Sequence, residues 1–317
     1  MIVVTGGAGL IGSHIIERLN VQGISDILVS DRLDASGKWR NLDRNTFADY
    51  VDKDQLFDAM GKSSVEAVIH MGAITDTMEM DAQLVVEYNF QYSKEIWRWC
   101  TEHRTMLVYA SSASVYGDGS QGFSETVDLG SVHALNPYAY SKLLFDRWVM
   151  RQSGAKPPHW RATRFFNVYG SGEAHKGRMA SVVLHAMRQL HREHKVQLFK
   201  AYRDGYRDGE QLRDFVQVDD TANVVVQLAK DDSLEDGFYN VGTGQARTFN
   251  DLATAVCRAM GRESNIEYVD MPEGLEQRYQ YFTQADVTKL RRNGLLPHPT
   301  SLEDGITDYV AAWLQEG

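Results

Sequence analysis

Tyr138 and Lys142 lie four positions apart in the segment Tyr-Ala-Tyr-Ser-Lys. On a helix, residues i and i+4 share a face, so the Lys142 ammonium group can lie near the Tyr138 phenol. A phenol titrates at about pH 10 in water, and a neighbouring cation favours the phenolate and lowers that pKa. Such a tyrosine can accept a proton from a carbinol while a hydride leaves the same carbon. Ser112, which follows a predicted strand, can hydrogen-bond the same substrate oxygen.

A glycine-rich segment, residues 5–12 (Thr-Gly-Gly-Ala-Gly-Leu-Ile-Gly), follows a short apolar strand and opens a helical stretch. Gly6 permits a tight turn, Gly9 lets the backbone approach a phosphate, and Gly12 allows close packing of helix on strand. The start of the helix presents free N–H groups and a positive dipole end to a pyrophosphate. Asp31 ends the next strand about 20 positions on, where it can bind a ribose hydroxyl. The combination predicts a dinucleotide site.

Two basic residues after Asp31 bear on which dinucleotide binds. Arg32 is the next residue, and Lys38 lies six positions beyond it. Cations in these positions can bind the 2′-phosphate that distinguishes NADP from NAD. The sequence therefore favours NADP over NAD. Its oxidised nicotinamide would add a second positive charge beside Tyr138 and favour the phenolate further.

Short apolar runs alternate with helical stretches through the first half of the chain. The predicted strands of this half are residues 2–4, 27–30, 67–70 and 106–110, and its predicted helices include 10–20 and 87–102. Further strands are predicted at 161–166 and 237–241, and further helices at 250–260 and 302–314. This alternation predicts an α/β fold, with a doubly wound parallel sheet of Rossmann type covered on both faces.

After about residue 168 the pattern becomes polar and irregular. The segment 198–215 carries many charges and glycines and is predicted as a surface loop. The runs 161–166 and 237–241 still follow the first pattern on either side of this polar part, so the two parts of the chain interleave. We expect a Rossmann domain from 1–168 plus 215–242, and a smaller α/β substrate domain from 169–214 plus 243–317.

Composition and charge exclude several classes of protein. Of the 317 residues, 43% are hydrophobic and 24% charged, as in ordinary globular proteins. The formal net charge of −10 argues against nucleic acid or an anionic membrane as the main partner. Two cysteines and ten histidines show no disulfide framework and no metal-ligand spacing. The strand pattern that begins at Ile2 leaves no room for a signal peptide, and we expect a cytoplasmic, metal-free enzyme without a membrane partner.

The chain resembles the extended short-chain dehydrogenase/reductases, the NAD-dependent epimerase/dehydratase family, over its whole length. Beyond the glycine loop and the Tyr/Lys pair, the motifs are His-Met-Gly-Ala at 70–73, Asn89, Arg-Phe-Phe-Asn-Val-Tyr-Gly at 164–170, Arg-Asp-Phe-Val at 213–216 and Asn-Val-Gly-Thr-Gly at 240–244. The resemblance implies a catalytic set of Ser112, Tyr138 and Lys142. It also implies a nucleotide-sugar substrate, held by the C-terminal part of the chain.

Within that family the chain is most similar to the ADP-glycero-manno-heptose 6-epimerases. The distinctive segments are 90–95, 173–181 (Glu-Ala-His-Lys-Gly-Arg-Met-Ala-Ser) and 278–286. This resemblance implies NADP-dependent inversion at C6 of an ADP-heptose through a transient ketone, feeding the lipopolysaccharide core. It also implies a homo-oligomer, often a pentamer. The chain departs from the family at Arg32, where asparagine is common, at Met71, Ile74 and Asp76, and in a longer 200–213 segment.

The resemblance assigns further residues to each ligand. The expected cofactor contacts are Gly6, Gly9, Leu10, Ile11, Gly12, Asp31, Arg32, Lys38, Lys53, Met71, Gly72, Ala73, Asn89, Tyr138, Lys142 and Val168. The expected substrate contacts are Ser112, Asn167, His175, Lys176, Arg178, His185, Phe199, Arg213 and Tyr279.

Stereochemistry bears on the role of Lys176. Epimerisation through a ketone requires hydride to leave from one face and return to the other, so the ketone must turn within the pocket. One acid–base group within hydrogen-bond reach of the first orientation is badly placed for the second. We therefore expect two such groups. Tyr138 is the first, and the resemblance assigns the second to Lys176 rather than His175; the alternative is that Lys176 only pairs with a substrate phosphate.

Three other enzyme classes and one binding module are alternatives to the 6-epimerase. A 4,6-dehydratase is disfavoured, because residues 112–114 are Ser-Ala-Ser where dehydratases of the family carry Thr-Asp-Glu and eliminate water with those carboxyl groups. A UDP-hexose 4-epimerase keeps the same catalytic set, and only the segment around Lys176 argues against it. A reductase that releases its oxidised cofactor is a further alternative. A cofactor-sensing binding module would typically have lost Tyr138 or Lys142.

Overall fold

Short apolar runs form the strands in the computed structural model, which describes residues 1–276 and 279–316. The strands are β1 (Ile2–Thr5), β2 (Ile27–Asp31), β3 (Asp49–Asp52), β4 (Ala67–His70), β5 (Met106–Ser112), β6 (Trp160–Phe165), β7 (Asn167–Tyr169), β8 (Val196–Phe199), β9 (Leu212–Gln217), β10 (Gly237–Val241), β11 (Ala246–Thr248) and β12 (Ile266–Val269). Seven of these strands form a central sheet in the order β10-β6-β5-β4-β1-β2-β3, with every pairing parallel. Strands β1, β4 and β6 are buried along their whole length, as expected for a sheet covered on both faces.

Several helices begin where the sequence supplies a cap. The helices are α1 (Leu10–Val21), α2 (Leu56–Met60), α3 (Ala82–Val86), α4 (Tyr92–Glu102), α5 (Pro137–Met150), α6 (Val182–Glu193), α7 (Val218–Lys230), α8 (Phe249–Ala259), α9 (Thr288–Arg292) and α10 (Leu302–Glu316). Helix α5 starts at Pro137 behind Asn136, whose Oδ1 accepts a hydrogen bond from the Ala139 N–H at 2.8 Å. A π-helical turn, Glu87–Gln91, precedes α4 and carries Asn89.

The predicted fold class, a doubly wound parallel sheet of Rossmann type, is confirmed. The predicted strands at 67–70 and 237–241 have the observed bounds, and the other predicted strands agree within two residues at either end. The prediction of a surface loop over 198–215 is wrong at both ends, since β8 extends to Phe199 and β9 begins at Leu212 and buries Arg213 and Asp214; residues 200–211 between them form no helix or strand. Asp214 accepts hydrogen bonds from the N–H groups of Thr243 and Gly244, which allows a charged segment to enter the core.

Two hydrophobic cores divide the described residues. The first contains the central sheet with its helices, and residues 285–296 also pack on it. The second contains α6, α8 and α10 with β8 and part of β9. Two small sheets belong to this second part, one in the order β11-β9-β7 and one that pairs β12 with β8. The predicted domain boundaries at 168/169, 214/215 and 242/243 stay predictions.

Opposite faces of the central sheet carry different helices. On one face α1 packs on α7, where Asp219 Oδ1 lies 2.9 Å from His14 Nδ1 and 3.1 Å from the Arg18 guanidinium. On the other face α4 and α5 meet through Trp97 and Trp148, whose ring centroids are 5.9 Å apart. Among the residues described, no helix combines the length and apolarity needed to cross a bilayer.

The strand order places a crevice at one edge of the sheet. Strand β1 lies between β2 and β4. The chain adds β2 and β3 on one side of β1 and then crosses over to add β4, β5 and β6 on the other side. In register, Thr5 pairs with Ser30 on one side and with His70 on the other, which brings the carboxyl ends of the three strands level. Ligands of open α/β sheets bind at such a switch point, outside the carboxyl ends of the strands.

The packing of α1 against the first turn gives a stability prediction. A Cβ atom on Gly12 would lie 2.8 Å from Gly7 Cα and closer still to the Gly6 carbonyl oxygen, so the backbone itself would have to move. Gly12→Ala should lower the free energy of unfolding by about 1–3 kcal/mol, measured by urea denaturation. Gly154→Ala is the matched control, because a Cβ there meets nothing within 4 Å. Equal stability of the two variants would contradict the packing role of Gly12.

Candidate active site

A cavity of about 660 Å³ opens at the switch point, and the glycine loop forms one wall. Gly6 has a φ of +65°, and a Cβ on it would lie 2.6 Å from the Gly72 nitrogen, so the turn requires glycine. Helix α1 follows Gly9, which provides no capping side chain. The first N–H groups of the helix are therefore available to an anion in the cavity.

Most of the sequence-predicted site residues meet at this cavity. Its lining includes Gly6, Gly9, Leu10, Ile11, Gly12, Asp31, Lys38, Met71, Gly72, Ala73, Ser112, Tyr138, Lys142, Asn167, Val168, His175 and Lys176. The predicted site residues that do not line it are Arg32, Lys53, Asn89, Arg178, His185, Phe199, Arg213 and Tyr279. Lining residues that were not predicted include Asp34, Ser36, Thr75, Asp76 and Phe166.

Asp31 is held by three donors at the end of β2. Its Oδ2 accepts a hydrogen bond from the Ala8 N–H at 2.9 Å, which ties it to the glycine loop. Its Oδ1 accepts from the Arg32 N–H at 2.7 Å and from Lys38 Nζ at 2.8 Å. The Arg32 side chain is exposed. Lys38 thus neutralises Asp31 at the place where the sequence predicts the adenosine ribose.

The end of β5 and the first turns of α5 bring together Ser112, Tyr138 and Lys142. Ser112 Oγ accepts hydrogen bonds from the Ser114 N–H at 3.2 Å and from Ser114 Oγ at 2.9 Å. Lys142 Nζ donates to the Ala110 carbonyl at 2.8 Å, and only 4% of the lysine is exposed. The lysine ammonium is therefore held at the strand end that also carries Ser112.

Burial dominates the electrostatics of this set. Desolvation lowers the pKa of Lys142 to about 8, and the negative charge of Asp146 opposes that change. Burial raises the pKa of Tyr138, while a hydrogen bond with Ser112 works in the opposite direction. The lower phenol pKa expected from the neighbouring lysine is thus not found in the protein by itself. Lys142 donates to a backbone carbonyl, and desolvation of the phenol is the larger effect.

Asn89 connects the cofactor-side loop to the catalytic helix instead of lining the cavity. Its side chain binds both backbone groups of Ile74, accepting from N–H at 2.8 Å and donating to the carbonyl at 2.9 Å. It also donates to Ser141 Oγ at 3.0 Å, next to Lys142 in the chain. Its predicted cofactor contact stays a prediction.

Lys53 lies at a separate small cavity of about 270 Å³. Its ammonium group pairs with Asp54 and lies 4.8 Å from the centre of the Tyr88 ring and 5.8 Å from that of Tyr92. The structure therefore does not bring Lys53 together with Asp31 and Lys38 at the main cavity.

A short helical turn, Ala174–Met179, places Lys176 in the lining of the cavity. Buried Glu173 precedes the turn and accepts hydrogen bonds from the N–H and hydroxyl of Ser181, both at 2.6 Å, which closes the segment. Gly177 provides the non-helical backbone at φ +55°. Burial lowers the pKa of Lys176, and the charge of Glu173 opposes that change. Lys176 is thus a partly desolvated amine in the cavity lining.

His175 and Arg178 on the same turn have other partners. His175 Nδ1 lies 2.9 Å from the Gly172 carbonyl oxygen, so that nitrogen carries the proton and Nε2 is left as an acceptor. The Arg178 guanidinium donates to Asp76 at 2.7 Å, across the cavity mouth. His185 Nε2 lies 3.3 Å from the Arg178 carbonyl oxygen. The substrate-binding roles of these residues stay predictions.

Arg213 lies among aromatic rings in the second core. Its Cζ is 5.0 Å from the centre of the Tyr279 ring and 5.7 Å from that of Phe249, and Phe199 contacts Tyr279. The guanidinium donates to the Leu212 carbonyl at 2.8 Å, and within the described residues no carboxylate pairs with it. Burial lowers its pKa. A buried cation without a counter-charge is suited to bind an anionic ligand. Arg278, in the segment similar to the heptose enzymes, lies outside the described residues.

Sequence reasoning missed the buried pair of Asp146 and Arg164. Two guanidinium nitrogens of Arg164 donate to Asp146 Oδ2, each at 3.2 Å, and neither residue is exposed. Two signals were available in the sequence. Asp146 lies one helical turn after Lys142, and Arg164 lies inside an apolar strand, where an arginine needs an acidic partner.

The chain is similar to known proteins in its sequence and in its fold. The model of the NAD dependent epimerase/dehydratase family matches residues 2–242. A protein of Fusobacterium nucleatum named ADP-L-glycero-D-manno-heptose-6-epimerase is 44% identical, over 99% of this chain and 98% of that protein.

Solved structures of epimerases are also similar to this chain. The crystal structure of Helicobacter pylori ADP-L-glycero-D-manno-heptose-6-epimerase is similar with a TM-score of 0.82 and 27% identity, over 98% of this chain and 95% of that one. A Thermus thermophilus UDP-glucose 4-epimerase in complex with NAD has a TM-score of 0.78 and 27% identity, over 99% and 98% of the two chains. From the family match and the near full-length relative, this chain belongs to the NAD dependent epimerase/dehydratase family.

Proposed function

We propose that this protein converts ADP-D-glycero-D-manno-heptose to ADP-L-glycero-D-manno-heptose, by NADP-dependent inversion at C6 through a transient ketone, for lipopolysaccharide core biosynthesis. The observation that carries the proposal is that Ser112, Tyr138, Lys142 and Lys176 line one cavity with the glycine loop. The relative that is 44% identical over nearly the whole chain supports the heptose substrate, since it is named as that 6-epimerase.

The cavity fits a nicotinamide dinucleotide. The glycine loop leaves space for a ligand next to its backbone, because it carries no side chain at Gly6, where a Cβ would lie 2.6 Å from the Gly72 nitrogen across the turn. The free N–H groups of α1 suit the pyrophosphate, and Asp31 with Lys38 suits the adenosine ribose. When bound, this cofactor supplies the hydride acceptor and donor. Tyr138 and Lys142 line the same cavity and can contact its nicotinamide end.

NADP is proposed over NAD because of the charges around Asp31. A free carboxylate at this position repels a 2′-phosphate, but here Lys38 pairs with Asp31 at 2.8 Å and cancels its charge. The exposed Arg32 side chain follows directly and adds a second cation. A phosphate in this position would therefore meet a neutral Asp31–Lys38 pair and one further cation, Arg32.

Tyr138 is the proposed acid–base group for one epimer. Its phenol lies beside Ser112, which can share the substrate oxygen, and Lys142 is held at the end of the same strand. Because burial raises the phenol pKa, the buried Lys142 ammonium is needed to stabilise the phenolate during proton transfer.

Lys176 is the proposed acid–base group for the other epimer. It lines the cavity, and burial makes its amine easier to deprotonate than an exposed lysine. Among the described residues no hydrogen bond or ion pair is formed by its ammonium group, so it is free to approach a substrate oxygen. Glu173 holds the turn that carries it.

The substrate is proposed to bind between the two cores. Asn167 and His175 line the cavity next to Lys176, while Arg213, Phe199 and Tyr279 lie behind it in the second core. The unpaired Arg213 guanidinium is the proposed partner of the nucleotide diphosphate. We also propose, from the family resemblance, that the chain assembles as a homo-oligomer such as a pentamer. A cytoplasmic location is a further proposal, which rests on the composition.

Assay of two substrates tests the proposed function against its main alternative. Purified protein with NADP should convert ADP-D-glycero-D-manno-heptose to its C6 epimer, detected by NMR of the product, without net consumption of the cofactor. UDP-glucose should give no C4 epimer. Conversion of UDP-glucose alone would assign the chain as a UDP-hexose 4-epimerase. In a parallel sample with NADPH in place of NADP, stoichiometric oxidation of the reduced cofactor would indicate a reductase.

The two-base mechanism predicts the behaviour of Tyr138→Phe and Lys176→Met. Each variant should lower kcat about 10²–10⁴-fold, the range contributed by a general acid–base group, while cofactor binding is kept. Steady-state kinetics with ADP-heptose and cofactor titration give the two readouts. Lys156→Met, at an exposed lysine, is the control. If Lys176→Met mainly raises KM and leaves kcat near wild type, Lys176 is a binding residue and the mechanism is wrong.

Cofactor choice is tested by the variant that combines Arg32→Ala and Lys38→Ala. Each lost charge-assisted contact to phosphate costs about 1.5–3 kcal/mol before screening, and loss of Lys38 also leaves Asp31 to repel the phosphate. The ratio of NADP to NAD affinity should fall at least about tenfold, measured by calorimetric titration with each cofactor. Arg40→Ala is the control, since Arg40 stacks on Trp39 nearby. An unchanged ratio would overturn the assignment of NADP.

A further inference from the structure

A chain of polar side chains is buried behind the catalytic set, within the central sheet. Asp146 lies at its centre, with no exposed surface. Its Oδ2 accepts from Arg164 and, at 2.9 Å, from the Ser111 hydroxyl, while its Oδ1 accepts from the Tyr109 hydroxyl at 3.3 Å. Four donor contacts, two of them from a permanently charged group, keep the carboxylate ionised although burial raises its pKa.

Arg164 is fixed in turn by the elements around it. Its Nη1 donates to the Tyr116 hydroxyl at 2.9 Å, and that hydroxyl donates to Asn240 Oδ1 at 2.7 Å. The guanidinium carbon lies 4.0 Å from the centre of the Phe238 ring. The chain of contacts thus runs from β10 through β6 to α5, and the pair cannot exchange with water.

Asp146 acts on two parts of the catalytic set. It follows Lys142 by one turn of α5, which places the two side chains on the same helix face. It also binds Ser111, which lies between Ala110, the acceptor of the Lys142 ammonium, and Ser112. One carboxylate therefore bears on both the charge of Lys142 and the position of the strand end.

We propose that Asp146, held by Arg164, is a positioning residue for the reaction: it keeps the Lys142 ammonium charged and fixes the end of β5 that carries Ser112. This role rests on the proposed chemistry of Tyr138 and Lys142. Asp146 itself contacts neither substrate nor cofactor, because it has no exposed surface.

The sign of the expected pH dependence follows from the groups that face Lys142. Asp146 on α5 and His70 on β4 interact electrostatically with Lys142, and His70 is neutral because burial lowers its pKa to about 3. Tyr138 lies one turn before Lys142 on α5, and its phenol is uncharged because burial raises its pKa. Asp146 is thus the negative charge that opposes desolvation of Lys142. Without it the pKa of Lys142 falls below about 8, and the ammonium is lost at a lower pH. Activity that needs the ammonium should then decline earlier as pH rises.

Asp146→Asn is the variant that tests the proposal. The pH at which kcat for ADP-heptose declines on the alkaline side should fall by about one unit. At a fixed pH on that side, kcat should therefore be about tenfold lower than in the wild type. Asp146→Glu keeps the charge and should keep the wild-type limb. Ser111→Ala removes one hydrogen bond but leaves the carboxylate, and its limb should also match wild type. A residue with only a structural role would lower the amount of folded enzyme and leave every limb in place.

A second variant and a direct titration of Lys142 keep the proposal testable if Asp146→Asn does not fold or if the enzyme does not act on ADP-heptose. If Asp146→Asn does not fold, the pair Asp146→Asn with Arg164→Met removes both buried charges and should shift the limb in the same direction. Lysine labelled with ¹³C at Cε gives the titration of Lys142 directly by NMR, with Lys142→Arg for assignment, and needs no substrate. Unshifted titration of Lys142 without the Asp146 charge would overturn the proposal. A shifted titration in a protein that does not epimerise ADP-heptose would uphold it and overturn the proposed function instead.

Discussion

Parallel alignment of β1, β4 and β5 decides where this protein can do chemistry. Because these neighbours run in one direction with Thr5 level with His70, their following loops emerge at the same edge of the sheet. Buried polar contacts then lock the edge: Thr5 Oγ1 lies 2.7 Å from His70 Nδ1 and accepts from the Gly72 N–H at 3.2 Å. The glycine loop, the cofactor-side loop and Ser112 thus depend on a single register.

Each of the two lysines at the cavity has a buried carboxylate behind it. Lys142 is opposed by Asp146 within the central sheet, and Lys176 by Glu173 in the turn that leads to α6. Burial removes water from both amines and lowers their pKa, while each carboxylate limits that change. In the proposed mechanism this arrangement would serve two chemical needs, a cation that supports Tyr138 and an amine that exchanges a proton with substrate.

The two walls of the cavity are tied together by side chains from both parts of the chain. Asn41 donates to the Ala8 carbonyl at 2.9 Å and to the Gly172 carbonyl at 2.8 Å, which joins the glycine loop to the segment before Lys176. At the mouth, Arg178 pairs with Asp76. This ion pair links the cofactor-side loop to the turn that carries Lys176.

Local patterns in the sequence were enough for six of the seven strands of the central sheet, all but the polar β3, and for bringing Ser112, Tyr138 and Lys142 to one cavity, while their catalytic role stays a proposal. Continuous apolar runs are typical of buried parallel strands, and the glycine spacing and the Tyr138/Lys142 pair depend only on neighbours in the chain. The family resemblance added Lys176, which spacing alone could not single out. Its position on the cavity wall agrees with that choice, while its catalytic role stays a proposal.

Tertiary structure decided what depends on contacts distant in the chain. Whether Lys38 binds a phosphate or first cancels Asp31, whether Arg178 faces substrate or Asp76, and which charge sits behind Lys142 all follow from packing. Residues 212–215 were misassigned to a surface loop for the same reason, since a polar pattern says nothing of the backbone donors that bury Asp214. Charge and hydrogen-bond pairing act over ångströms in space, whereas a sequence records only separation along the chain.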